Sequence, residues 1–468
     1  MPNKNNIILF ITDQWRWDTL NDPSNPARLP NLQNFRDEAV KFDNAFTTVP
    51  LCTPARGSLF TGRLPHQNGT MDNVQGKAFY PHGKLHPDQK TYLERLRESG
   101  YHVAFVGKWH LGDGTLQDRG IDDVVLSDGG DVPLTATGDV TFSETRKSPY
   151  YGTITDGEPL DGIRVDNAID LLPRLASSDK PFCLVVSLHA PHFPHHVPER
   201  YVALYDDLPK DYVPENWCKQ FSEPNKPVAQ SRPWHEVHDT SHMSANDWRR
   251  TAQHYWGFCS YTDALFGRFR TAVSQAGLTE NTVLAFTSDH GEMLGAHGWF
   301  DKGPFFYEEV MRIPMLIRAP GQINETRQNF VSLHDLLPTL INCAGGDIEP
   351  DRSYFNTQSD AAFFVYDAYQ GRQFRFRGIR EKRFKYAWSP HDLEELYDLE
   401  NDPAERINLA GDPIHTNTQA RLKNRLFDWM GKEGDWLSGP AHHPPVGSYI
   451  DGRGSEEQHV HPALGPRS

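Results

Sequence analysis

Asn6-Ile7-Ile8-Leu9-Phe10-Ile11-Thr12 is an unbroken apolar run with a polar residue at each end. It shows no period-two alternation, so both faces of the segment have to be buried, as in a strand inside a parallel sheet. Three more runs share this character. Tyr101–Val106 follows a helix-like segment, Thr91–Ser99, with Gly100 as its stop signal. Pro181–Leu188 follows the amphipathic Val165–Leu175, and Thr282–Ser288 follows the long segment Trp248–Ala276 with Gly277 behind it. Strands alternating with helices predict an α/β fold with a large, mostly parallel central sheet flanked by helices.

The character changes past Gly345-Gly346. Residues Phe363–Ala387 mix apolar, aromatic and basic side chains in the manner of antiparallel strands, and Leu422–Met430 has a helical pattern. The expected organisation is a catalytic domain over 1–345 and a smaller C-terminal α+β subdomain over 346–468. The last ~25 residues, rich in Gly, Pro and His, are expected to form an irregular tail. Residues 199–246 are Pro-rich, aromatic and aperiodic, which predicts an insert shaping an active site.

The 468 residues carry 47 Lys+Arg and 62 Asp+Glu, a net charge of −15. That balance argues against nucleic acid as a partner, yet it allows a local basic pocket for an anionic substrate. Cys52, Cys183, Cys218, Cys259 and Cys343 are widely spaced and form no Cys-x-x-Cys pair, so neither a disulfide framework nor a structural zinc site is indicated. Cys183, Cys259 and Cys343 read as packed hydrophobes, and Cys218 has no assignable role. No stretch approaches the ~20 apolar residues of a membrane span, so no membrane partner is expected. Ile7–Ile11 is too short for a signal peptide. The expected location is cytoplasmic as written, and periplasmic if a leader has been removed.

Polar side chains cluster where the four runs end, which is where chemistry gathers in such sheets. Asp13-Gln14 follows the first, Lys108-Trp109-His110 the second, His189–His192 the third and Asp289-His290 the fourth. Asp13 and Asp289 offer two carboxylates on rigid strand ends, suited to a hard cation. Lys108 and His110, two apart, are expected to project to the same side. Cys52-Thr53-Pro54-Ala55-Arg56 lies at a loop-to-helix junction, where backbone N–H groups and an arginine one turn on would stabilise a thiolate or an anion.

Taken together, these motifs resemble the type I, formylglycine-dependent sulfatases of the alkaline-phosphatase superfamily. Cys52-x-Pro54-x-Arg56 with Leu59-x-x-Gly62-Arg63 resembles their signature. Gly107-Lys108-Trp109-His110-Leu111-Gly112, Ala190-Pro191-His192-Phe193-Pro194, Ser288-Asp289-His290-Gly291-Glu292, Asp301-Lys302-Gly303 and Tyr307-Glu308 follow in the family's order. Leu396-Tyr397-Asp398-Leu399, Asp402-Pro403 and Asn408-Leu409 resemble its closing segment, so the likeness runs from about residue 5 to 410.

The resemblance implies that a separate maturation enzyme converts Cys52 to formylglycine. One hydroxyl of the hydrated aldehyde would attack sulfur, and the other would then expel sulfate and restore the aldehyde. It implies Arg56, Lys108, His110, His192 and Lys302 as catalytic residues beside position 52, with His192 protonating the leaving oxygen. A divalent cation would be held by Asp13, Gln14, Asp289, His290 and the position-52 side chain, Ca2+ foremost and Mn2+ or Mg2+ as alternatives. Asn73 and His297 would contact substrate, while His66, His195 and His196 are read as surface or supporting residues.

Gln14 and His290 depart from the Asp and Asn that many members carry, and the same pair occurs in phosphonate monoester hydrolases. A phosphonate or phosphate ester hydrolase is therefore the rival enzyme, and a non-catalytic binder of sulfated glycans is the rival outside enzymes. The aromatic and His content of the insert favours a sulfated carbohydrate as substrate.

Overall fold

The protein is described by a computed structural model over residues 4–74, 83–112, 116–126, 140–142, 151–230 and 238–438. Among these residues the chain forms fifteen strands. In chain order they are β1 (Asn6–Asp13), β2 (Val40–Phe46), β3 (His102–Gly107), β4 (Asp123–Leu126), β5 (Val140–Phe142), β6 (Tyr151–Ile154), β7 (Phe182–Pro191) and β8 (His195–Pro198). They continue with β9 (Thr282–Ser288), β10 (Met315–Arg318), β11 (Thr326–Ser332), β12 (Ala361–Tyr369), β13 (Arg372–Glu381), β14 (Phe384–Trp388) and β15 (Glu395–Asp398). The central sheet has eight strands in the order β11-β2-β10-β9-β1-β7-β3-β4.

The four apolar runs become β1, β3, β7 and β9, and they sit side by side in the middle of this sheet. β1 pairs in parallel with β7 on one side and β9 on the other, and β3 pairs in parallel with β7. β1 shows why its sequence does not alternate. Ile7, Leu9 and Ile11 enter one hydrophobic cluster, while Ile8 and Phe10 enter the cluster on the opposite face. β10 is the antiparallel member, paired with β9 and β2. Its four residues are too few to stand out as a run.

Local signals set the helices. Tyr92–Glu98 opens with a reciprocal cap between Thr91 and Glu94, and the 31-residue helix Ala245–Gln275 opens with the same arrangement between Ser244 and Asp247. The long helix packs with Leu160–Ala176 and Pro30–Arg36 over one face. Cys52–Thr61, Tyr92–Glu98 and Leu336–Cys343 cover the other.

β12–β15 form an antiparallel sheet in sequence order, with the helix Thr416–Lys432 packed against it. This sheet shares the core of the larger one: Phe364 of β12 packs edge-on to Phe46 of β2, ring centroids 5.6 Å apart. A buried charge group ties the two parts together. Glu308 pairs with Arg380 at 3.2 Å and with Lys385 at 3.3 Å, and Lys385 also reaches Glu405 at 2.7 Å. Burial raises the Glu308 carboxyl, but Arg380, Lys385 and Arg312 outweigh it and hold it at about 2, while burial pushes Glu405 up to about 8.

The insert is less irregular than its composition suggests. It holds the short helix Glu199–Val202 and packs on the 291–303 loop, Trp217 bridging Ala296. The expected tail falls almost wholly on 439–468, outside the described residues. Among the described residues no helix is long and apolar enough to cross a membrane.

His66, His195 and His196, read as surface or supporting residues, are buried, which removes the surface alternative. His195 is fully enclosed beside Tyr255 and Phe300, and burial holds its pKa well below 6.5. Burial likewise holds His254 down at about 4. Both imidazoles are neutral in the folded protein but titrate near 6.5 once unfolded, so the unfolded state binds protons that the folded state refuses. Stability present above pH ~6.5 is therefore lost as pH falls, for His254 by roughly 3 kcal/mol as pH approaches 4, and His195 adds a loss of the same sign. We expect Tm to drop across that window and His195→Phe to flatten the drop. A scanning-fluorimetry profile equally steep in the variant would remove His195 as a source.

Candidate active site

Because β9, β1, β7 and β3 are neighbours, their C-terminal ends open onto one spot. Asp13 ends β1, Asp289 follows β9, His192 follows β7 and Lys108 follows β3. Gly107, at φ +108°, brings β3 so close to β7 that a Cβ there would lie 1.9 Å from Ser187 O, so the turn into Lys108 requires glycine. Cys52 is the first residue of the helix Cys52–Thr61, and its side chain points into the same spot, 1% exposed.

Cys52 Sγ lies 3.1 Å from His290 Nε2 and 3.7 Å from Asp13 Oδ1. His290 Nδ1 donates to Gly291 O at 2.9 Å, which fixes Nε2 as the nitrogen facing the sulfur. Arg56 is fully buried between the two carboxylates. Its Nε donates to Asp289 Oδ2 at 2.9 Å and its Nη2 to Asp13 Oδ2 at 3.3 Å, while Nη1 is held by Ser187 Oγ at 2.8 Å. Lys108 Nζ donates to Asp13 Oδ2. Lys302 Nζ donates to Gln14 Oε1 at 3.0 Å, pairs with Asp301 at 3.1 Å and meets His192 Nε2 at 2.5 Å.

The electrostatics follow from this crowding. Burial alone would push the Cys52 thiol up, but Lys108, Lys302 and His290 outweigh it and hold it well below its usual value. Asp13 is lowered in the same way against burial, by Lys108, His192 and Arg56. Asp289 is raised by burial and by Asp13. His290 is lifted to about 9, since Asp289, Cys52 and Asp13 together outweigh its burial. Four ligand atoms from Asp13, Cys52, Asp289 and His290 lie within 4.8 Å of one another. Two carboxylates and an imidazole so close together form a donor set that fits a divalent cation.

Lys108 and His110 both reach Cys52's surroundings, though not by strand parity. β3 ends at Gly107, and His110 has a left-handed backbone, φ +57°. Its Nδ1 meets Thr53 Oγ1 at 3.3 Å, next to Cys52. Asn73 Oδ1 accepts from Thr53 N at 2.9 Å and so caps the Cys52 helix. His297 is not brought into this group. Its ring stacks on Tyr307 at 3.8 Å, and its nitrogens contact Glu223 at 2.8 Å and Asn216 at 3.2 Å, which leaves it 2% exposed. The expectation of a substrate contact is corrected accordingly: His297 fastens the insert to the 291–303 loop.

Four supporting groups had no role in the sequence reading. Asp161 accepts from Ala190 N at 2.7 Å and His189 N at 3.1 Å, holding the segment that presents His192. Glu292 accepts from Asp301 N at 2.6 Å and from Gln14 Nε2, and burial with Asp301 raises it to about 7. Ser187, the hydroxyl inside an apolar run, was the one with a local signal. Tyr369, from the distant β12, lies close enough to Lys302 and Cys52 to be raised by burial and by Asp301 and Cys52.

Comparison with known proteins agrees with this geometry. The family described as "Sulfatase" matches residues 5–346, and "N-sulphoglucosamine sulphohydrolase, C-terminal" matches 295–432. The chain is 29% identical to an ulvan-active sulfatase of Formosa agariphila, covering 97% of this chain and 86% of that protein. A solved structure in complex with D-glucosamine-2-N,6-O-disulfate superposes with a TM-score of 0.71 at 22% identity, covering 92% of this chain and 98% of the other. The phosphonate monoester hydrolase of Agrobacterium radiobacter superposes with a TM-score of 0.71 at 21% identity, covering 92% and 96%. A matched family over most of the chain, with Cys52, basic side chains and carboxylates assembled at one set of strand ends, makes this protein a member of the sulfatase family and a sulfuric ester hydrolase.

Proposed function

We propose that the chain removes sulfate from a sulfated carbohydrate, with formylglycine at position 52 as the nucleophile. The observation that carries this is His290 Nε2 at 3.1 Å from Cys52 Sγ, with Lys108 and Lys302 near enough to help hold that thiol well below its usual value. Those groups stabilise an anionic atom at the tip of residue 52 and a sulfuryl group next to it. Formylglycine would supply a hydroxyl nucleophile that a thiol lacks, and a maturation enzyme would have to install it. Asp13, Asp289 and His290 would hold a divalent cation, with Gln14 Oε1 at its Lys302 side, and the cation would add positive charge at the attacking and sulfuryl oxygens. Arg56 keeps both carboxylates oriented. Lys108 and Lys302 bind sulfuryl oxygens. His192 Nδ1 donates to Phe193 O, so Nε2 is the nitrogen turned to the site, and the proton it shares with Lys302 Nζ is the one handed to the leaving oxygen.

This role for His192 predicts a dependence on leaving group. A sugar alkoxide needs the proton far more than a nitrophenolate does. We expect His192→Ala to lower kcat on a sugar sulfate by roughly 10²–10⁴ and on an activated aryl sulfate much less. Equal losses on both would mean that His192 only positions sulfate. The substrate itself is tested by chromatography of a defined library of sulfated oligosaccharides.

A second reading, hydrolysis of phosphonate or phosphate monoesters on the same scaffold, rests on His290 and Gln14 standing beside the two carboxylates. A panel of matched aryl sulfate, phosphate and phosphonate esters separates the two: the sulfatase reading requires the sulfate ester to have the highest kcat/KM.

A further inference from the structure

A cavity of about 490 Å³ opens between the insert at 227–229, the start of β13 and the 389–395 segment. Its volume falls within the ~300–1,000 Å³ of small-molecule sites. Its wall includes Pro304, two residues beyond Lys302, and Gly371, two beyond Tyr369. Two residues of chain reach at most about 7 Å, so the cavity wall begins within that distance of the Lys302 backbone. Its edge is also fixed to the Cys52 helix. Asp72 accepts from Gln370 N at 2.9 Å and Gly371 N at 2.8 Å, and the adjoining Asn73 caps that helix.

The acids in the wall are engaged. The Asp392 carboxylate accepts from Val228 N at 2.7 Å and Ala229 N at 2.9 Å. Glu395 is buried and accepts from Tyr397 Oη at 2.6 Å. Arg372 is exposed, and among the described residues no carboxylate pairs with it. Arg375, also in the wall, is buried with its guanidinium over the Trp436 ring at 4.6 Å, so the exposed guanidinium at the cavity is that of Arg372, whose planar fork suits a sulfate or a carboxylate.

We propose that this cavity is an accessory subsite holding a second, acidic sugar residue of a sulfated oligosaccharide, with Arg372 gripping its sulfate or carboxylate. The inference rests on the carbohydrate reading given above and deepens it: the enzyme prefers a chain to a single sugar.

The test compares kcat/KM on 4-nitrocatechol sulfate, a sulfated monosaccharide, and disaccharides whose second sugar is neutral, carboxylated or sulfated. We expect a gain of about tenfold on adding an acidic second sugar, carboxylated and sulfated arms telling which anion is preferred. Arg372→Ala should remove most of that gain and leave the nitrocatechol rate within about twofold. Equal kcat/KM for the monosaccharide and both acidic disaccharides, or a gain that survives Arg372→Ala, would overturn the subsite. Calorimetric binding of a sulfated tetrasaccharide to Cys52→Ala protein, with and without Arg372→Ala, gives a readout free of turnover. Arg372-dependent binding without cleavage of any sugar sulfate would sink the carbohydrate hydrolase reading and keep the subsite, whereas binding indifferent to Arg372 would sink the subsite.

Discussion

We expect Cys52→Ala to give a folded protein with no measurable turnover of any sulfate ester, and Cys52→Ser to be either inactive or arrested as a sulfated enzyme. The side chain is small and sits at the first turn of a helix that carries its own packing through Leu59 and Phe60, so its truncation costs about 1 kcal/mol or less in stability. Everything arranged around it is electrostatic. Lys108, Lys302 and His290 remain in Cys52→Ala with nothing to stabilise. Serine restores an oxygen that Lys108 and Lys302 can hold, but it lacks the second hydroxyl needed to expel sulfate. Thermal melts establish the fold, steady-state assays the activity, and intact mass of the serine variant a retained sulfuryl group. Retention of most of the wild-type rate in either variant would refute the formylglycine mechanism. The mass of the tryptic peptide bearing Cys52, from a host with the maturation enzyme, reports the conversion directly.

The second large effect concerns the cation. Asp13→Asn and Asp289→Asn preserve shape and keep a hydrogen-bond acceptor for Arg56, but each removes one of the two charges in the donor set. We expect each to reduce bound metal well below one equivalent and to lower kcat by roughly three orders of magnitude, as chelation does in the wild type. Gln14→Asn should cost less, because its amide oxygen accepts from Lys302 and brings no charge. Elemental analysis alongside the assay decides it: full activity in protein free of metal would refute the assignment, and undiminished metal content in both variants would place the ion elsewhere.

The centre of the fold was legible because burial on both faces leaves an unmistakable trace, and β1, β3, β7 and β9 all carry it. β2, β10 and β11 did not stand out, since their runs are short or broken by polar residues at the sheet's flank. Within the site, the residues proposed to bind the cation and the sulfuryl group lie at strand exits and in a tight helix-start motif, where local sequence shows them. The residues that hold those in place do not. Asp161 looks like any helix-start acid, and Tyr369 lies far along the chain on a different sheet. His297 misled for the converse reason: a histidine in a glycine-flanked loop near Lys302 has the sequence look of a ligand contact, and only its stacking on Tyr307 and its bonds to the insert reveal a fastener.

The tie between Asp72 and the β12–β13 turn orders events in time. A chain grows from its N-terminus, so the Cys52 segment emerges well before Tyr369, whose ring is near enough to feel Cys52, and Gly371, which is bonded to Asp72. At ~5–20 residues per second the interval is on the order of 15–60 s. During it the segment bearing Cys52 has no C-terminal sheet to shelter behind, and a modifying enzyme can reach a sulfur that the finished protein leaves 1% exposed. The conversion proposed for position 52 would have that interval for its chemistry, and completion of the fold would end it.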